Sequence, residues 1–185
     1  MNNQMFVYGS LMEGFFNFDK YVDGHVVSIE KAYVLGTLYD MPYKGYPALL
    51  QEGNTKVWGE IITVKDLSLI IDDIDAMEGF NGRDDDEYKR IPSTITKENG
   101  DTVELGVYFY NLKDQDVRFD EAILLPEGSW RAFKNLKKNK TCLIGMFFLY
   151  HLNLVINILL SFCDWDHLKF IMIFTMNIQK LRIVL

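Results

Sequence analysis

Two stretches hold residues whose types and spacing allow chemistry. The first is Tyr8-Gly9-Ser10-Leu11, which follows the apolar pair Phe6-Val7. A buried strand that ends at Gly-Ser can bend sharply, because glycine tolerates a positive φ without steric cost. The N–H groups left unpaired by such a bend suit a carboxylate or a developing oxyanion. An ordinary structural turn has the same pattern, and the residues alone leave both readings open. The second is Glu78, at the end of a helical pattern that starts at Asp66. Leu67, Ile70, Ile71, Ile74 and Met77 fall at i, i+3, i+4, i+7 and i+10, the repeat of one buried face. At about 100° per residue, Glu78 projects between the bearings of Ile71 and Ile74. A carboxylate therefore stands where the pattern calls for leucine. Either the helix frays after Met77 and turns Glu78 to solvent, or the carboxylate sits in a partly apolar pocket. In the second case desolvation raises its pKa toward neutrality, as a general acid/base requires.

The surrounding elements must position these two stretches. Asp66 is the expected N-cap of a helix over 66–78, and Gly79 its C′ residue. Before it, Met12 to Phe18 reads as a loop or a short turn of helix. Residues 24–39 read as one bent strand or two, with Gly36 as a bulge. A loop at 40–47 contains Pro42, Gly45 and Pro47, and a short strand at 48–51 leads to a turn at Glu52-Gly53-Asn54. Val57 to Val64 is the next strand. Beyond the helix, strands over 88–96 and 103–112 are joined through Asn99-Gly100, a strong hairpin signal. Trp130 is expected to pack back on this domain.

Composition removes several function classes. The chain has 185 residues and a formal net charge of -7, which argues against a nucleic-acid surface because phosphates need a basic stripe. Two cysteines, Cys142 and Cys163, form neither a CxxC pair nor a disulfide framework, so a reducing cytoplasm is the expected compartment. The N-terminus lacks the basic and apolar regions of a secretory signal. His25, His151 and His167 show no metal-ligand spacing, and the run Asp84-Asp85-Asp86-Glu87 lacks the pattern of a calcium loop. It reads as a solvated acidic loop. Neither GxxxxGKS nor GxGxxG occurs, so no nucleotide cofactor is expected.

Several segments, in order, resemble the gamma-glutamylcyclotransferase-like (AIG2-like) family. They are Tyr8-Gly9-Ser10-Leu11 with Gly14 and Asn17, Gly36-Thr37-Leu38-Tyr39, Gly45-Tyr46-Pro47-Ala48-Leu49, Val57-Trp58-Gly59-Glu60, Asp75-Ala76-Met77-Glu78-Gly79-Phe80 and Tyr88-Lys89-Arg90. The resemblance covers about residues 4–134. It implies an α+β fold with a small, mixed, barrel-like β core and few helices. It also implies cyclisation of a small γ-glutamyl compound to 5-oxoproline with release of an amine or amino acid, without cofactor or metal. By the same resemblance, Tyr8, Gly9, Ser10 and Leu11 bind the γ-glutamyl group through their backbone, Glu78 is the catalytic acid/base, and Tyr88 with the Tyr108/Tyr110 strand lines the pocket. Met12-Glu13-Gly14 replaces the tryptophan-containing segment of the glutathione-specific branch, which places the chain with the AIG2-like branch. The rival reading is a non-catalytic binding module of the same fold.

Past Lys134 the composition changes, so a domain over 1–134 and an extension over 135–185 are expected. Lys134, Lys137, Lys138 and Lys140 precede a largely apolar run over 141–163. Such a run has the length of a membrane anchor that would leave the catalytic domain cytoplasmic. A hydrophobic appendage and a non-native extension are the alternatives.

Overall fold

The structure is a computed structural model that describes residues 3–113, 116 and 118–141. The chain divides into two compact units, Met1–Asn135 and Leu136–Leu185. Of the second unit, residues 136–141 are described, and they are helical. The expectations for the rest of the extension, including all but the first residue of the apolar run, lie outside the described residues. Among the described residues no helix is long and apolar enough to cross a membrane.

The first unit is built on antiparallel strands. β1 (Gln4–Val7) leads through α1 (Phe16–Tyr21) to two long strands, β2 (Val26–Met41) and β3 (Tyr46–Val64). In β2 the residues from Ala32 to Asp40 alternate between buried and more exposed, the period-2 signature of a strand with one face on the core. β2 and β3 pair along almost their whole length, and the register shifts twice, between Val26 and Ser28 and between Gly36 and Thr37. At the second shift the expected turn at 52–54 is instead a bulge inside one strand. Leu35 and Gly36 pair with Lys56 and Thr55, Thr37 pairs with Leu50, and the Thr37 hydroxyl donates to the Glu52 carbonyl at 2.6 Å. A side chain at Gly36 would meet the Leu50 carbonyl at 2.6 Å. The expected bulge at Gly36 is thus present, and the partner strand supplies its extra residues.

The expected helix over 66–78 is broken in two. Asp66 does cap its start, accepting from the Ser68 N–H at 3.0 Å. It caps a short 3-10 turn, Leu67–Leu69, and α2 follows at Ile71–Met77. The break lies at Ile70, whose φ of -125° is not helical. The apolar stripe keeps its bearing: Ile70 and Ile74 are buried, while Leu67, Ile71 and Met77 are half-buried.

β4 (Tyr88–Lys97) and β5 (Thr102–Tyr110) form the predicted hairpin. β6 (Ile123–Leu124) pairs with β2. The sheet order is β1-β3-β2-β4-β5, and its two ends approach each other, since the Tyr8 hydroxyl donates to the Tyr108 carbonyl at 2.6 Å. The α+β expectation of a barrel-like core with few helices is met by this curled sheet. Trp130 does pack back: it is fully buried and donates through Nε1 to the buried Asp40 carboxylate at 2.8 Å. Both Trp130 and Asp40 thus lock the sheet to the segment after β6.

Candidate active site

The loop after β1 is shaped by contact rather than by an unusual backbone. Gly9 does not have a positive φ, contrary to the reason the sequence offers for a glycine there. A side chain at this position would meet Pro47 Cγ at 2.8 Å, so glycine lets the loop lie directly against β3. The loop is held from the other side by Asn17, whose N–H donates to the Ser10 carbonyl at 3.2 Å and whose amide donates to Ser10 Oγ at 2.8 Å. None of the hydrogen bonds among the described residues uses the N–H of Gly9, Ser10 or Leu11. These donors are a source of positive partial charge at the cleft.

Glu78 lies on the same cleft, and a Schellman motif sets its position. The Glu78 N–H still makes the helical bond to the Ile74 carbonyl at 2.9 Å. Gly79, at φ 64°, then reverses the chain, with the Gly79 N–H bonded to Ala76 and the Phe80 N–H to Asp75. The helix therefore does not fray before Glu78. The carboxylate keeps some surface toward the cleft and is otherwise enclosed by protein. It makes no hydrogen bond among the described residues. Burial, then the nearby charges of Glu87 and Asp75, push its pKa up to about 8. Such a group can take and return a proton near neutral pH.

The cleft, about 510 Å³ of free space with its open mouth included, is lined by Tyr8, Gly9, Ser10, Leu11, Glu78 and Tyr88, so the structure brings these six expected residues together. Tyr8 and Tyr88 are buried, and both hydroxyls are committed to carbonyls. Tyr8 donates to Tyr108, and Tyr88 donates to Pro47 at 2.7 Å. Burial raises both pKa values well above the ordinary tyrosine range. They are neutral walls rather than proton carriers. Tyr108 also lines the cleft, and its hydroxyl donates to Asp75 at 2.5 Å. Asp75 is in turn paired with Arg90 at 2.9 Å. Tyr110 does not line the cleft; its hydroxyl donates to Asp116 at 2.9 Å.

The sequence did not point to Glu87, Tyr46 or Lys44. Glu87 lines the cleft, and its Oε1 accepts from Lys44 Nζ at 2.5 Å and from the Tyr46 hydroxyl at 2.7 Å. These partners come from the turn after β2 and the first residue of β3, more than forty positions away, so no local pattern announces them. Asp86 also departs from expectation. It is buried, and it accepts from the N–H groups of Asn81 at 2.6 Å and Arg83 at 2.9 Å. The acidic run is thus an internally organised turn, one of whose carboxylates holds the backbone together. Among the described residues no cluster of three His, Cys, Asp or Glu side chains could hold a metal ion. His25 is half-buried, and His151 and His167 lie outside the described residues.

No curated protein matches the chain. Among solved structures, YkqA from Bacillus subtilis is similar at 20% identity and a TM-score of 0.54, over 75% of this chain and 43% of that one. The present chain thus spans less than half the length of YkqA. A solution structure of an Arabidopsis thaliana protein has a TM-score of 0.52 at 19% identity, covering 82% of this chain and 83% of that one. An AIG2-like protein from Mus musculus has a TM-score of 0.50 at 21% identity, covering 69% and 87%. At these identities the likeness concerns the fold. The model of one family, described as gamma-glutamyl cyclotransferase, AIG2-like, matches residues 5–132, which takes in the Gly9 loop, Glu78 and all of the curled sheet but Gln4, and the chain belongs to that family.

Proposed function

We propose that this chain is a γ-glutamyl cyclotransferase, converting a γ-glutamyl amine or γ-glutamyl amino acid into 5-oxoproline and a free amine. The observation that carries the reading is the meeting, in one cleft, of a carboxyl with a pKa near 8 and a loop of unbonded N–H groups. The reaction needs both.

The substrate's α-ammonium must lose a proton before its nitrogen can attack the γ-carbonyl carbon. Glu78, as carboxylate, takes that proton. A new C–N bond closes the five-membered ring, and the carbonyl electron pair moves onto oxygen. As the pair returns, the bond from carbon to the leaving nitrogen breaks, Glu78 gives its proton to that nitrogen, and the ring nitrogen loses its second proton to the freed amine, which departs as ammonium. One carboxyl thus serves as base and then as acid, with no net change in its own state. The N–H groups of Gly9, Ser10 and Leu11 hold the substrate carboxylate or steady the oxyanion. Tyr8, Tyr88 and Tyr108 close the walls. A cytoplasmic location belongs to the same reading, supported by the cysteine-poor, acidic composition.

The test is release of 5-oxoproline from a panel of γ-glutamyl amines and γ-glutamyl amino acids, set beside Glu78→Gln. The variant is expected to lose about 10²- to 10⁴-fold in rate while still binding ligand. Binding without turnover in the unaltered protein would instead identify a non-catalytic module.

A further inference from the structure

The charges lining the cleft are of one sign. Glu78 and Glu87 are among the lining residues, and neither lysine nor arginine is. Asp75, the other carboxylate that acts on Glu78, is outside the lining and paired with Arg90, while Glu87 faces the cleft with its partner Lys44 outside the lining. The two lining carboxylates differ in depth. Glu78 sits beside the buried loop, whereas the Glu87 side chain is 36% exposed and belongs to the rim. A γ-glutamyl group with its carboxylate on the Gly9 to Leu11 N–H groups and its ammonium at Glu78 fills the inner end. Whatever is attached beyond the scissile amide must then run outward, past Tyr46 and Glu87.

Glu87 is built to hold its place there and still accept. Its N–H donates to the Gly79 carbonyl at 3.3 Å, and both side-chain bonds, from Lys44 and Tyr46, fall on Oε1. Oε2 makes no hydrogen bond among the described residues, and an ionised carboxylate has further lone pairs to offer. Lys44 stands behind Glu87 and outside the lining, bonded also to the Tyr110 hydroxyl at 3.3 Å. A group leaving the inner cleft therefore meets the carboxylate before it meets the ammonium.

We propose that Glu87 is a specificity-determining residue that selects for leaving amines carrying a second, protonated amine. The proposal rests on the cyclotransferase reading and deepens it. A cationic tail gains an acceptor at Oε2. A neutral tail gains nothing, and a carboxylate tail, as in a γ-glutamyl amino acid, meets an oxygen that can only accept.

The experiment uses three γ-glutamyl amides of equal chain length: that of n-butylamine, of its ω-amino analogue and of its ω-carboxylate analogue. The full chain is expected to rank them cationic, neutral, anionic in kcat/KM, with roughly tenfold between the first two, the scale of a partly exposed charged hydrogen bond. In Glu87→Gln the preference should collapse, mainly through a higher KM for the cationic amide with kcat little changed. A merely structural role would lower all three together. Lys44→Met provides a second variant, whose expected effect is a stronger cationic preference because a competing cation is gone. Equal rates for the three amides, or a preference for the carboxylate, would overturn the proposal, the latter assigning recognition to Lys44. Failure to turn over any amide would instead overturn the underlying reaction, and the proposal with it.

Discussion

The N–H of Glu87 donates to the carbonyl of Gly79 at 3.3 Å, tying the start of β4 to the residue that follows Glu78. This bond brings two carboxylates to one cleft from elements that are otherwise separate. Burial is the main cause that disfavours ionisation of Glu78, and the nearby Glu87 charge adds to it, which is why Glu78 titrates near 8 rather than near 4.5.

The pH dependence of turnover follows directly. The α-ammonium of a γ-glutamyl substrate stands beside a free carboxylate and is a weaker acid than a peptide N-terminus, whose pKa is roughly 7.7–8.0, so a Glu78 raised to about 8 is a better matched base than an ordinary carboxylate. Since kcat/KM reports the free enzyme, its acidic limb should fall near pH 8. The bound ammonium is an opposite charge beside Glu78 and pulls its pKa down. The acidic limb of kcat should therefore lie at lower pH than that of kcat/KM. Steady-state kinetics across the range check this. An acidic limb near 4.5 in both parameters would mean that the free carboxyl is not held in an apolar site.

Much of this was legible in the residues, for reasons that can be located. The β-branched and aromatic run over 24–39 marks β2, and Asn99-Gly100 marks the hairpin because Gly100 takes a φ of 92° there. Glu78 was legible because its departure from an apolar stripe is local. The bulge at 51–54 was not, since Glu-Gly-Asn has turn chemistry and only pairing with β2 keeps it in a strand. Nor was the role of Gly9, which depends on Pro47 arriving from a distant strand. The ties of Glu87 to Lys44 and Tyr46 are likewise products of the sheet's curl rather than of any neighbour in sequence.

Stability should also depend on pH through Glu78. Its pKa is raised on folding from 4.5 to about 8. The folded state therefore favours the protonated form, and the associated stability is complete below about pH 4.5 and lost as pH rises through about 8. Glu78→Gln carries no charge to desolvate. The variant should match the parent near the lower bound and exceed it above the upper one. The gain is at most about 5 kcal/mol, reduced because the cleft is open to water. Thermal melts of both proteins between these limits measure the divergence. Parallel curves would show that Glu78 ionises freely in the folded chain.

Gly9 offers a sharper separation of structure from chemistry. Its φ is not positive, so alanine is compatible with the backbone and its effect must come from contact. The added carbon would meet Pro47 Cγ at 2.8 Å and Cδ at 3.1 Å. Pro47 has little freedom to give way, because it pairs with Asp40 in the sheet and its carbonyl accepts from the buried Tyr88 hydroxyl. The shift should therefore fall on the loop, moving the N–H groups of Ser10 and Leu11 away from the substrate. Gly9→Ala is expected to cost about 1–3 kcal/mol in stability, as overpacking does, and up to about 10²-fold in kcat/KM, as a displacement near 1 Å can. Gly100→Ala is the control. Its φ is 92° with open space around it, so it should cost about 1–2 kcal/mol through backbone strain and leave kcat/KM untouched. Melting temperatures and kinetics of the two variants compare strain without displacement against displacement without strain. Ordinary kcat/KM in Gly9→Ala would remove the loop from the substrate-binding apparatus.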